Sequence, residues 1–169
     1  MSEHDPILFR EVQRFAQWWL WAMLIGLGFI VPLTILVAIK LAEEEVSSTE
    51  FLPALLATGG CLLLIGLLFA VLRMTTEVRR TGLYLGFLPF RRLKQIPLEG
   101  MTEHRAVEYR PVRDYGGWGI KGTRSKRAFN VKGNRGVRID FEDGRHILIG
   151  SQEPERLDRA IEKMLRGRR

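Results

Sequence analysis

The residues here whose types and spacing could do chemistry are cations set among glycines. Lys121, Arg124, Lys126, Arg127, Lys132 and Arg135 interleave with Gly119, Gly122, Gly133 and Gly136. Turns of this composition expose backbone amides that can cup an anion, and neighbouring cations reinforce them. That chemistry suits a lipid phosphate, an acidic partner or nucleic acid. The plainer reading is that hairpin turns need glycine and that surfaces carry Lys and Arg in any case. A second group, Arg73, Arg79, Arg80, Arg91, Arg92 and Lys94, follows directly on an apolar run. A cation near an anionic leaflet gains about 1 kcal/mol, so this group predicts electrostatic docking without a specific pocket.

Other chemistries find little support. His4, His104 and His146 are far apart in sequence, and His146, just after Asp143-Gly144, is expected to face solvent. Cys61 is the single cysteine and reads as an apolar filler. Glu99, Glu103 and Asp114 form no recognisable acid–base pair. HExxH, GxSxG and P-loop patterns are missing, and the glycines of Gly117–Gly122 lack a strand–turn–helix setting. The sequence therefore predicts no catalytic set, no metal site and no cofactor. Nucleic acid ranks low as a partner, because only Tyr115, Trp118 and Phe129 accompany the basic strip.

Two apolar runs must position these groups. Trp18 to Ile39 and Phe51 to Leu72 each hold twenty-two residues without a charge. As helices they would extend about 33 Å, against about 30 Å of hydrocarbon. The expectation is a transmembrane hairpin over residues 18–72, with a short acidic outer loop at 40–50. Trp18, Trp19 and Trp21 read as interfacial anchors, and Ala22, Gly26, Gly66 and Ala70 as helix-packing positions. The same small residues admit a homo-oligomer. Pro32 should bend the first helix. Residues 1–17 form an N-terminal interfacial segment in which Leu8, Val12 and Phe15 recur at helical spacing. Arg10 and Arg14 before the first run, and Arg73, Arg79 and Arg80 after the second, place both termini in the cytoplasm. The implied location is the cell inner membrane, multi-pass.

Residues 73–169 have a different character, with twenty-three Lys or Arg against twelve Asp or Glu, a net of +11. Short strands are predicted near 75–80, 83–87, 93–98, 103–109, 127–131, 136–141 and 145–149, with one more near Ile120. Thr81-Gly82 and Asp143-Gly144 supply tight turns. Val137, Ile139 and Phe141 alternate with Arg138, Asp140 and Glu142, so one face is buried. Pro154 opens a final helix with Leu157, Ala160, Ile161, Met164 and Leu165 on one side.

Several of these motifs carry a likeness. They are Arg80-Thr81-Gly82-Leu83, Pro89-Phe90, Ile96-Pro97-Leu98, Tyr109-Arg110-Pro111 and Tyr115-Gly116-Gly117-Trp118-Gly119-Ile120. Asn130-Val131, Gly133-Asn134, Gly136-Val137, Asp143-Gly144 and Ile149-Gly150-Ser151-Gln152 complete the set. With the two apolar runs, the chain resembles small prokaryotic two-span membrane proteins with a cytoplasmic pleckstrin-homology-like domain. The resemblance implies a membrane α-hairpin plus an α+β part. That part would be an antiparallel β-barrel or sandwich of about seven strands in two nearly orthogonal sheets, closed by a C-terminal helix. It also implies headgroup binding through the first hairpin. Here that hairpin carries Arg79 and Arg80, while the next strand, Leu83–Phe87, lacks alternating Lys and Arg.

The functional expectation is a membrane-anchored, non-enzymatic binding or scaffold module. Its basic domain at residues 73–169 would contact anionic inner-leaflet lipid or a protein partner. The alternative is an accessory subunit of a larger transporter or respiratory assembly, held to a membrane-protein partner through the hairpin.

Overall fold

The computed structural model describes residues 6–15, 18–41 and 48–167. The chain divides into two compact units, Met1–Phe15 with Leu72–Arg169, and Ala16–Val71.

The smaller unit holds α1 (Trp18–Leu41) and α2 (Ser48–Val71). Apolar residues run all round both helices, and Trp18, Phe29, Leu56 and Leu64 are largely exposed. Small residues set the approach of the pair. A Cβ at Gly66 would meet Trp21 Cζ3 at 3.7 Å, and one at Gly28 would meet Leu62 Cδ1 at 3.8 Å. Gly26 has nothing within 4 Å at that point. Just past Pro32, the Thr34 hydroxyl donates back to the carbonyls of Ile30 or Val31, at 2.7 and 2.9 Å.

Among the described residues, no helix is long and apolar enough to cross a membrane. The expected transmembrane hairpin, the multi-pass inner-membrane location and the orientation of the termini are corrected accordingly. The structure supports a helical pair and a separate two-sheet α+β unit. The side chain of Trp19, residues 42–47 of the acidic loop, and His4 lie outside the described residues.

Among its described residues the larger unit contains nine strands rather than about seven. One sheet is antiparallel throughout, with β1 (Ile7–Arg14), β2 (Arg73–Arg79), β3 (Gly82–Leu88) and β4 (Arg91–Ile96) side by side in that order. The second contains β5 (Met101–Glu108), β6 (Gly119–Gly122), β7 (Lys126–Asn130), β8 (Arg135–Phe141) and β9 (His146–Gly150), in the order β5-β8-β9-β7-β6. Its β7 and β9 run parallel, and its other pairs are antiparallel. A short α3 (Pro111–Tyr115) precedes β6, and α4 (Pro154–Arg166) ends the described chain.

The largest departure from expectation is β1. Residues 7–14 form a strand, not an interfacial helix, and belong with the β unit. Leu8 and Val12 have helical spacing, but Phe9 and Gln13 are buried with Glu11 half-buried between them, while Arg10, Val12 and Arg14 are exposed, the period of a strand. In register, Phe9 faces Val78 and Arg14 faces Arg73. The Phe15 N–H donates to the Leu72 carbonyl at 3.3 Å, so residues 16–71 leave and re-enter the sheet at one point. The helical pair is thus an insertion between two neighbouring strands. The expected boundary at residue 73 severed one domain.

The core follows the alternation of the strands. Met74, Val78, Leu83 and Leu85 from the first sheet and Val137, Ile139, Phe141 and Ile149 from the second are all buried. So are Leu157, Ile161 and Met164 on α4, which contacts β1, β2, β5 and β8. Truncating such a side chain to Ala costs about 2–5 kcal/mol. Hydrogen bonds then lock β1 to the corner between β9 and α4. The Glu11 carboxylate accepts from Ser151 Oγ at 2.6 Å and from the Gln152 N–H at 2.9 Å. Gln13 Nε2 donates to the Gly150 carbonyl at 2.8 Å.

Candidate functional site

The two groups of cations have different surroundings. In the first sheet, Arg73 and Arg79 stand at opposite ends of β2, about 20 Å apart at strand rise. Arg80 lies in the turn after β2, while Arg91, Arg92 and Lys94 line β4, an edge strand. The structure therefore spreads this group rather than gathering it. Arg79 is also engaged: its Nη2 lies 2.6 Å from Glu77 Oε2, and its guanidinium sits 5.2 Å from the Tyr84 ring centroid. Arg10 approaches the other Glu77 oxygen at 3.3 Å, over a carboxylate whose side chain is only 6% exposed.

The second sheet gathers its cations more closely. Lys121, Arg124, Lys126 and Arg127 all belong to the β6–β7 hairpin and are exposed. Pairing of Lys121 with Ala128 puts Lys121 and Lys126 on one face, and Arg127, opposite Gly122, on the other. Among the described residues none of these four has an ion-pair partner, while Arg127 lies 5.8 Å from the Phe129 ring centroid. From Tyr115 to Ile139 the chain holds no Asp or Glu at all. Lys132 and Arg135 lie at the far end of β7, and Arg135 is bound to Glu155. The six cations grouped by sequence are thus four and two.

Glycine makes the hairpin. Gly122 has φ +92°, and a Cβ there would run into the Lys126 carbonyl oxygen. The Thr123 N–H donates to that carbonyl at 2.9 Å, closing a tip of Thr123, Arg124 and Ser125. Beside it lies the β8–β9 turn, held by the His146 N–H donating to the Ser125 carbonyl at 2.9 Å. Between the tips is an open notch of about 650 Å³ lined by Thr123, Arg124, Ser125, Asp143 and Arg145. Thr123 Oγ1 and Ser125 Oγ are 3.1 Å apart. Arg145 is held on two sides, by Asp143 at its Nε and by the Phe141 ring, whose centroid is 5.1 Å away. In turn the Arg145 side chain, hydrogen-bonded to Asp143, holds that carboxyl below its ordinary value.

Sequence reasoning missed Arg145, Thr123 and Ser125. Asp143-Gly144 signals the turn, but nothing local shows that a second hairpin tip adjoins it. His146 is also corrected, being buried rather than solvated. It sits under α3, with Nε2 3.2 Å from the Tyr115 hydroxyl. There Tyr109, Ala128 and Leu148 form a small second core with Val107 and Tyr115 against it. Burial pushes the His146 imidazole below its ordinary value, and Arg138 and Lys126 act in the same direction against Asp140.

A larger cavity, about 860 Å³, lies elsewhere, between the β4–β5 corner and the end of α4. Glu99, Glu142 and Glu162 line it, and its one arginine, Arg166, is bonded to Glu162. It would repel an anion. His104, also on its wall, bonds Asp158 at 2.7 Å. Among the described residues no three His, Cys, Asp or Glu side chains come together to hold a metal ion.

No family model, no curated protein and no solved structure matches the chain.

Proposed function

We propose that this chain is a non-enzymatic binding module whose β unit docks through the β6–β7 hairpin on an anionic lipid surface. The observation that carries this reading is the set of four exposed cations without ion-pair partners on one glycine-shaped hairpin. A cation left without a carboxylate is one the fold does not use, and each is worth about 1 kcal/mol near an anionic surface. Lipid is favoured over an acidic protein because the hairpin offers charge without an apolar anchor cluster. Ile120 is its one exposed large hydrophobic side chain, whereas protein interfaces centre on buried aromatic or aliphatic anchors.

The test is co-sedimentation of the full chain with phosphatidylcholine vesicles, with and without phosphatidylglycerol, at low and high salt. The reading predicts an increment due to the anionic lipid that salt removes. Equal binding to both vesicles at every salt concentration would refute it.

A further inference from the structure

The notch between the two hairpin tips adds selectivity to a surface that otherwise offers only charge. We propose that it binds a phosphate monoester carried on a lipid headgroup; this rests on the docking reading above and specifies which lipid the surface prefers.

Three features of the notch converge on that ligand. The first is a pre-positioned guanidinium. Asp143 engages Arg145 at Nε and through the backbone N–H at 3.1 Å, and Phe141 supports the plane of the group. Its Nη donors remain for a ligand, and little side-chain entropy is lost when they are used. The second is the hydroxyl pair. Thr123 Oγ1 accepts from the Lys126 N–H at 3.3 Å and shares one hydrogen with Ser125 Oγ. Whichever hydroxyl donates within the pair, one O–H is left to point outward. The third is the surplus of positive charge. Arg124 lines the notch, and Lys126 and Arg127 follow it in the chain, against the single carboxylate of Asp143.

Ligand geometry selects the monoester. A phosphate monoester presents three terminal oxygens and a charge near −1.5 to −2 at neutral pH. It can therefore accept from Arg145, Arg124 and a hydroxyl together. A phosphodiester headgroup has two non-bridging oxygens and one charge, and must leave one of these donors unused. Charge-assisted hydrogen bonds are about twice as strong as neutral ones, so the difference is large enough to read.

The experiment uses the full chain with two sets of vesicles matched for surface potential, phosphatidylcholine with phosphatidate and phosphatidylcholine with phosphatidylglycerol. Wild type is expected to bind the phosphatidate set about tenfold more tightly. A Thr123→Val/Ser125→Ala variant should lose that preference while binding phosphatidylglycerol as before, and an Arg145→Gln variant should lose it while binding both sets more weakly. Circular dichroism melts of each variant confirm that the fold is kept. Equal wild-type binding to the two sets would overturn the proposal while leaving salt-dependent docking intact. A preference that survives in both variants would overturn the assignment to the notch. Glycerol 3-phosphate is the soluble probe. Competition at concentrations matching the vesicle lipid would show that a free monoester is the ligand, and the lipid assignment would fall.

Discussion

Two regions of the β unit, the β1–β2 pair and the β6–β7 hairpin, treat charge in opposite ways. In the first, Glu77 is buried and drawn to Arg10 and Arg79, while Glu11 is held by Ser151 and Gln152. Charge there joins segments distant in the chain. In the second, the β6–β7 hairpin carries Lys121, Arg124, Lys126 and Arg127, none of them with an ion-pair partner among the described residues. Cations that close a structure and cations that await a partner look the same in a sequence. Substitutions tell them apart, because the first kind changes stability and the second changes binding.

The largest effect belongs to β1. Deleting residues 1–14 removes an edge strand, the buried Phe9 and both anchors to the β9–α4 corner. We expect the β unit to lose its cooperative melt. Replacing residues 16–71 with a two-residue Asn-Gly turn should keep that melt, because Phe15 and Leu72 are already hydrogen-bonded. If the deletion melts like wild type, β1 is dispensable and the insertion account fails.

Next comes Glu77→Gln. The carboxylate is buried, yet Arg10 and Arg79 are 59% and 32% exposed and can turn to water. The expected cost is therefore about 2–3 kcal/mol in urea unfolding, below the 3–5 of a fully buried pair. Glu11→Ala should be milder, about 1–2 kcal/mol, for two hydrogen bonds at the edge of the sheet. A change below about 0.5 kcal/mol in either would place that residue with the unpaired cations of the second sheet.

His146 offers a subtler test within the second sheet. Its folded pKa lies below the ordinary 6.5, so the unfolded chain binds the proton more readily. The resulting stability is present above 6.5 and is lost as pH falls from there towards the lowered folded value. A His146→Asn variant should flatten the dependence of urea midpoint on pH in that window. An unchanged slope would show that the imidazole under α3 is as accessible to protons as one in water.

Much of this architecture was legible wherever its causes were local. The alternation of Val137, Ile139 and Phe141, the Asp143-Gly144 turn, and the apolar stripe of Leu157, Ala160, Ile161 and Met164 lie within a few residues of their cause. The observed strand and helix limits fall within two residues of those expected. Structure β1 could not be read this way, because its partner β2 lies across fifty-six inserted residues, 16–71. Leu8 and Val12 meanwhile imitate a helix. Burial of His146 depends on α3 folding back over the sheet, and the pairing of Arg135 with Glu155 spans the last hairpin. The site was half legible: cations among glycines marked the hairpin, but only the fold shows which of them lack acids and that Arg145 stands beside them.

The measurement that bears most directly on this account is one variant read twice. Lys121→Ala/Arg124→Ala/Lys126→Ala/Arg127→Ala, in the full chain, should melt within about 0.5 kcal/mol of wild type. At low salt it should lose the phosphatidylglycerol-dependent part of vesicle binding by about 100-fold or more, at about 1 kcal/mol per cation. A variant that melts normally and still binds anionic vesicles as wild type does would contradict the assignment of this hairpin as the docking surface.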